Sequence, residues 1–319
     1  MTRTAGHGAD GSPVVIIGDL ADPHVREVID RICPQRPLAV LDTVSIQRMR
    51  FTVSAVGFSV DTANGKGTAD LDEARRGWIR RLAPAESDNG LRSGSKDAAV
   101  RGAWRALLTA VPRTTACEWL SDLDALLAAE NKIVQCRAAS ATGIRMPPTV
   151  VTNDASRAPS PHAGLVAKPL GPGHFWLGSP DDPRVVFAVP VDTLHPAWTD
   201  LLPGAPFILQ ERLHAVRHLR VVTFRHTSWA FEIAAGELPL DWRQSAAAHS
   251  SWRSVRAPDV ERQALRLSAA MSVRYSSQDW IETADDTYFI DLNPNGQWLF
   301  LPDPGASQIS AAIADWLQE

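Results

Sequence analysis

A hairpin near the C-terminus constrains this chain more than any other stretch. QDWIE (278–282) and YFIDLN (288–293) read as two strands joined by the turn-rich TADDT (283–287), and the second runs into the turn NPNG (293–296). Side chains alternate along a strand, which predicts Phe289, Asp291 and Asn293 on one face and Ile290 and Leu292 on the other. Pairing Glu282 with Tyr288 sets Asp279 opposite Asp291. Carboxylates facing each other across two strands are destabilising, and a bound cation removes that cost. Mg²⁺ takes hard oxygen ligands and keeps several waters, so two carboxylates and one amide suit it where phosphates complete the shell. A solvated face ending in an ordinary turn is the plain alternative, and the hairpin by itself does not separate the two.

The 319 residues allow two or three domains with a sizeable core. A net charge of −4 argues against a general binder of nucleic acid or membrane surfaces. Cys33, Cys117 and Cys136 form no CxxC and no zinc spacing, so reduced thiols are expected. With no long apolar run and no signal-peptide pattern, the expectation is a soluble cytoplasmic protein.

Along the chain, MTRTAGHGADGS (1–12) reads as a disordered tail. VVIIGDLADPHVREVIDRI (14–32) reads as a buried strand, a turn and a helix starting near Asp22-Pro23, which is an α/β opening. Strands follow at 38–43, 50–56 and 58–62, then the turn ANGKG (63–67) and a loop at 83–97. ANGKG is no Walker A loop, because Val60 stands where the first glycine is needed. Ala98 to Ala141 has a helical pattern, and TVVTND (149–154) a strand running into a turn. HAGLVAKPLGPGHFW (162–176) reads as a strand followed by a Gly/Pro-rich loop. VVFAVPV, PFILQERL, HLRVVTFR and SWAFEIAA read as further strands, with helices at 260–271 and at the C-terminus. HExxH and GxSxG are both missing, which gives no support to zinc or serine-hydrolase chemistry.

Lys168 lies in the apolar strand LVAKPL just before Gly171-Pro172-Gly173. Burying a lysine there is costly unless it meets an anion, which suggests a phosphate contact; a snorkelling edge-strand lysine is the bland reading. Lys132 in AENKIV is placed on a helix. Arg220 in HLRVV and Arg243 in LDWR could bind phosphate oxygens or simply be solvated.

The order of NK, MPPTVVTND, VAKPL, ILQERL, HLRV, LDWR, QDW and FIDLNPNGQWLF resembles the ATP-grasp ligases. Within that superfamily it is most similar to the ATP-grasp maturases of ribosomal peptides, the microviridin and graspetide type. NPNGQW is the most specific element, and WIRR (78–81) also resembles a segment of their N-terminal domain. The resemblance implies an α+β ATP-grasp fold: a pre-ATP-grasp-like α/β domain at 13–125, a central subdomain at 126–195 and a C-terminal one at 196–319. ATP and Mg²⁺ are the implied cofactors. Position by position, Lys132 and Lys168 match lysines on the ATP phosphates, and Gln210, Glu211 and Leu213 the hinge that holds adenine. Arg220 and Arg243 match arginines near the transferred phosphate, making Arg220, Arg243 and Lys168 the catalytic candidates. Asp279, Asp291 and Asn293 match the magnesium ligands. The chain departs from the pattern at Asp291, where the family usually has Glu, and at His218, where an acidic residue is common.

The implied reaction phosphorylates a carboxylate to an acyl phosphate, which a hydroxyl or amine then attacks. The implied partner is a precursor peptide of leader plus core, with no nucleic acid and no membrane; a homodimer is compatible with the resemblance. A ligase of free amino acids or small carboxylates, and a peptide-binding protein impaired in turnover, stay open as alternatives.

Overall fold

The structure, a computed structural model, describes residues 11–55, 57–61, 68–82, 94–158, 164–171, 174–176, 183–185, 188–191, 204–236 and 238–319. The tail up to residue 10, the turn ANGKG, residues 83–93 of the expected loop and Pro172-Gly173 lie outside them. The chain divides into two compact units, Met1–Leu123 with Ser307–Glu319, and Asp124–Ala306.

The first unit opens on β1 (Val14–Gly18), buried at every position, followed by α1 (Pro23–Ile29), whose N-cap Asp22 accepts from the backbone N–H of His24. The next strands are β2 (Leu38–Asp42), β3 (Phe51–Ser54), β4 (Gly57–Asp61), β5 (Thr68–Asp70) and β6 (Arg76–Ile79). The helix α2 (Lys96–Thr114) starts behind the cap Ser95 and gives way to β7 (Glu118–Trp119). A parallel sheet runs β2-β1-β6-β7, and β3-β4-β5 form an antiparallel one. The helical pattern read from 98 to 141 is therefore interrupted at Glu118–Trp119. Trp119 pairs with Gly77, and a Cβ at Gly77 would stand 2.7 Å from the Trp119 ring. A tertiary pairing that needs glycine opposite tryptophan overrides local helical propensity there. The chain's last helix, Gly305–Gln318, presents Ile309, Ile313 and Leu317 at i, i+4 spacing, all fully buried.

The second unit begins with α3 (Leu123–Glu130) and α4 (Lys132–Ala141). Asn131 separates them: its side chain accepts from the N–H groups of Ile133 and Val134, so α4 starts at Lys132. Next come β8 (Thr149–Thr152), β9 (Leu165–Pro169), β10 (His174–Trp176), β11 (Pro183–Val185), β12 (Val189–Val191) and β13 (Phe207–Glu211). An antiparallel sheet runs β12-β9-β13-β8, and β10 pairs with β11. Two expectations change here. His174–Trp176 is a strand, not loop, and Lys168 lies on a central strand of its sheet, which removes the edge-strand reading. β14 (Arg217–Phe224), β15 (Thr227–Ala234), the short α5 (Ala246–His249) and β16 (Arg253–Val255) follow, then α6 (Pro258–Ala270), β17 (Tyr275–Glu282) and β18 (Thr287–Asn293). They build a second antiparallel sheet, β16-β15-β14-β17-β18, with α6 on one face. Gln278 anchors that face by donating Nε2 to the Ala264 carbonyl at 2.8 Å. The α+β architecture is the one expected.

The hairpin departs from simple alternation. Glu282 pairs with Thr287 and not with Tyr288, while Asp279 does face Asp291; the register shifts between them. Ile290 is the extra residue of this bulge. As a result the buried positions of β18 are Phe289 and Leu292, three apart, and Phe289 packs edge-to-face on Trp280 at 5.5 Å. Phe289 thus faces the core with Leu292, and Asp291 and Asn293 are left together on the other side.

All three cysteines are free thiols. Among the described residues no helix is long and apolar enough to cross a membrane.

One buried amide ties α4 to the hairpin. Gln135, 2% exposed, donates Nε2 to the carbonyls of Ala129 (2.6 Å) and Leu292 (2.7 Å), and its Oε1 accepts from the Leu292 N–H at 3.1 Å. Gln135→Leu keeps the volume but strands buried backbone groups, so denaturant unfolding should show a loss of about 2–4 kcal/mol. A loss below about 0.5 kcal/mol would contradict this.

Candidate active site

The two antiparallel sheets of the second unit enclose a cavity of about 520 Å³, within the size range of small-molecule sites. Of the sequence-predicted residues, Lys132, Lys168, Gln210, Glu211, Leu213, Arg243, Asp279, Asp291 and Asn293 line it, together with His218. Arg220 is buried and joins the group by donating to Asp279 at 2.9 Å. Positions spread over more than 160 residues therefore converge.

Asp279 and Asp291 face each other as the sequence suggests, yet two protein cations neutralise the pair. Lys132, at the first position of α4, donates to Asp291 Oδ1, and Arg220 donates to Asp279 Oδ1. The like-charge repulsion is thus offset by the protein itself. Each carboxylate commits one oxygen to these bonds, and both side chains are about a third exposed. Asn293 Oδ1 accepts from the Asn295 N–H at 2.9 Å, which starts the NPNG turn and leaves the amide oxygen a second lone pair. This all-oxygen, partly solvated donor set fits Mg²⁺ sharing its shell with water and phosphate. The turn itself requires glycine: a Cβ at Gly296 would stand 2.3 Å from that of Ser277. Turning there brings the Gln297 carbonyl to Arg220 Nη2 at 3.3 Å.

Lys168 differs from the other cations. Its Nζ donates to a neutral amide, Gln210 Oε1, at 2.8 Å, and Gln210 passes the contact on to Thr149 Oγ1 at 2.9 Å. Burial lowers the Lys168 pKa, Lys132 and Arg243 lower it further, and Asp291 and Asp241 oppose the shift. A cation disfavoured by burial and by like charges has much to gain from an incoming polyanion. The resemblance implies a hinge role for Gln210; in the structure its side chain seats Lys168.

Four further residues shape the site, none of them a site candidate from the sequence. Asp241 caps the turn Trp242–Gln244 and holds Arg243 by two side-chain bonds. Trp242 and Phe300 flank the Arg220 guanidinium, with ring centroids 5.9 and 5.2 Å from its central carbon. Cys136 lines the cavity, its thiol pushed up by burial. The hydrogen bonds that Arg243 donates to Asp241 raise the Arg243 pKa, and the charges of Asp279 and Asp291 act in the same direction. Among the described residues no three of His, Cys, Asp and Glu gather as metal ligands.

Burial lowers the His218 pKa, against the charges of Asp279 and Asp241. A histidine kept neutral in the fold contributes stability above its unfolded pKa of about 6.5 and loses it as pH falls towards the folded value. His24 is shifted the same way, by burial first. His218→Gln should therefore narrow, without abolishing, the drop in unfolding midpoint between pH 7.5 and pH 5.5; an unchanged drop would contradict a buried neutral imidazole.

No protein-family model matches the chain, and a search of curated proteins returns no match. Solved structures do match. A RiPP-associated ATP-grasp ligase from Chryseobacterium gregarium, in complex with ADP and a leader and core peptide, superposes with a TM-score of 0.81 at 22% identity, covering 96% of both chains. The macrocyclase MdnC from Microcystis aeruginosa, bound with the precursor peptide MdnA, gives 0.79 at 22% identity over 96% of this chain and 99% of that one. A D-alanine–D-alanine ligase from Bacillus anthracis complexed with ATP gives 0.55 at 11% identity over 96% and 95%. The chain has the ATP-grasp fold, and over nearly its whole length it is similar to ATP-grasp ligases of ribosomal peptides.

Proposed function

We propose that this protein is an ATP-dependent carboxylate ligase that cyclises a ribosomal precursor peptide through side-chain ester or amide bonds. One observation carries the reading: Lys132, Lys168 and Arg243 meet the oxygen donors Asp279, Asp291 and Asn293 in one cavity between two antiparallel sheets. The peptide substrate is supported by similarity, since the structures at TM-scores near 0.8 hold precursor peptides while the D-alanine ligase lies at 0.55.

In this reading Gln210, Glu211 and Leu213 hold the adenine, and Lys132 and Lys168 hold the phosphates. Asp279, Asp291 and Asn293 would hold Mg²⁺, which draws off phosphate charge when bound. A peptide carboxylate attacks the γ-phosphorus, the bond to ADP breaks, and an acyl phosphate forms. A Ser, Thr or Lys side chain then attacks the acyl carbon and inorganic phosphate leaves. Arg220 and Arg243 stabilise the charge on the transferring group, and Lys168 gives up its neutral partner for an anionic one. Both nucleophiles belong to the peptide, and no side chain of the ligase attacks; the protein supplies position and charge. The pairing of Lys132 with Asp291 and of Arg220 with Asp279 keeps aligned the carboxylates that would hold the metal. A cytoplasmic location belongs to this reading, since ATP, Mg²⁺ and reduced thiols are all available there.

Mass spectrometry of candidate precursor peptides, sought in the genes beside this one and incubated with the protein, ATP and Mg²⁺, is the test. One water should be lost per ring formed, and the leader segment alone should bind at micromolar affinity, roughly −8 kcal/mol. A peptide that neither binds nor loses water, with free amino acids driving ADP formation, would replace this reading by a small-molecule ligase.

A further inference from the structure

Asp241 has no part in the chemistry described so far, yet it makes the most lopsided ion pair of the site. Its side chain is 5% exposed, while the Arg243 side chain it holds is 57% exposed. Arg243 donates Nε to Oδ1 at 2.7 Å and Nη2 to Oδ2 at 2.5 Å. Oδ1 also accepts from the Arg243 backbone N–H at 3.2 Å, and Oδ2 from the Ala188 N–H at 3.4 Å. The carboxylate is thus fixed from two chain segments, and it grips the guanidinium along one edge.

An ion pair with one dry and one wet member is a poor stabiliser, because burying the carboxylate costs much of what the pairing returns. It is a good orienting device. Two bonds along one edge fix the plane of a guanidinium, which leaves Nη1 and the outer N–H of Nη2 as the donors Arg243 can offer an anion. Arg243 lines the same cavity as Lys168, Asp279 and Asp291, and its charge acts on Lys168. We propose that Asp241 is a positioning residue: it holds the Arg243 guanidinium in the orientation from which Arg243 binds the transferring phosphoryl group, without touching substrate itself. This rests on the ligase reading above.

A purely structural role, as cap of the turn Trp242–Gln244, can be separated from this one. Asparagine caps as well as aspartate does, but its amide offers one acceptor and no charge. Asp241→Asn should leave the unfolding midpoint within a few degrees and the KM for ATP within about threefold of wild type. Its kcat for peptide-dependent ADP release should fall tenfold or more. Because Asp241 acts through Arg243, the double variant Asp241→Asn/Arg243→Ala should be no slower than Arg243→Ala alone. A wild-type kcat in Asp241→Asn overturns the proposal, as does a double variant slower than Arg243→Ala by the full single-variant factor. Should Asp241→Asn fail to fold, Arg243→Ala decides: added guanidinium should restore at least a tenth of wild-type kcat, since Asp241 seats the free ion, and no rescue overturns the proposal. A wild-type protein without ATP-dependent turnover of any candidate precursor peptide removes the ligase reading and this inference together. An active wild type with an unaffected Asp241→Asn removes the inference alone.

Discussion

The site depends on one cross-strand pair, Asp279 facing Asp291, and on the cations that make it tolerable. Unpaired, two carboxylates on neighbouring strands would push the hairpin apart. Arg220 from β14 and Lys132 from α4 draw them back. Both cations are therefore tied to the oxygens they would have to share with a metal. Because each pair is partly exposed, its net contribution to stability is small and exchange for Mg²⁺ and phosphate is energetically feasible. Fully buried pairs would resist such an exchange.

Most of what surrounds this pair serves to hold its members still. Gln135 fixes the strand carrying Asp291 through both backbone groups of Leu292. The bulge at Ile290 sends Phe289 into the core and keeps Asp291 and Asn293 on the cavity side. Trp242 and Phe300 flank Arg220, and Gly296 lets the turn fold close over Ser277 so that a carbonyl reaches the same arginine. Each device sacrifices some freedom to orient a charged group, as electrostatic catalysis requires.

The sequence makes some of this legible and hides the rest for physical reasons. Alternation and turn chemistry are local, so the Asp279–Asp291 juxtaposition and the NPNG turn could be read directly. The bulge could not, since Glu282–Tyr288 and Glu282–Thr287 pairings look equally good in strand propensity. The helical pattern across 98–141 gives way where Trp119 pairs with Gly77, a contact between distant residues. An edge-strand reading of Lys168 stays open in the sequence because strand order in a sheet is not written in any one segment. Gln135, Gln210 and Asp241 are ordinary polar residues until burial and a partner give them a role. For Asp241 the adjacency to Trp242-Arg243 was the one available hint.

In the proposed function, Asp279 and Asp291 trade their protein cations for a divalent metal once nucleotide is bound. Mn²⁺ titration followed by electron paramagnetic resonance, with and without a non-hydrolysable ATP analogue, tests it most directly. The wild type should bind Mn²⁺ tightly only with the nucleotide present, and Asp279→Asn/Asp291→Asn should lose that nucleotide-dependent binding while staying folded. Unchanged Mn²⁺ binding in the folded double variant would contradict the claim.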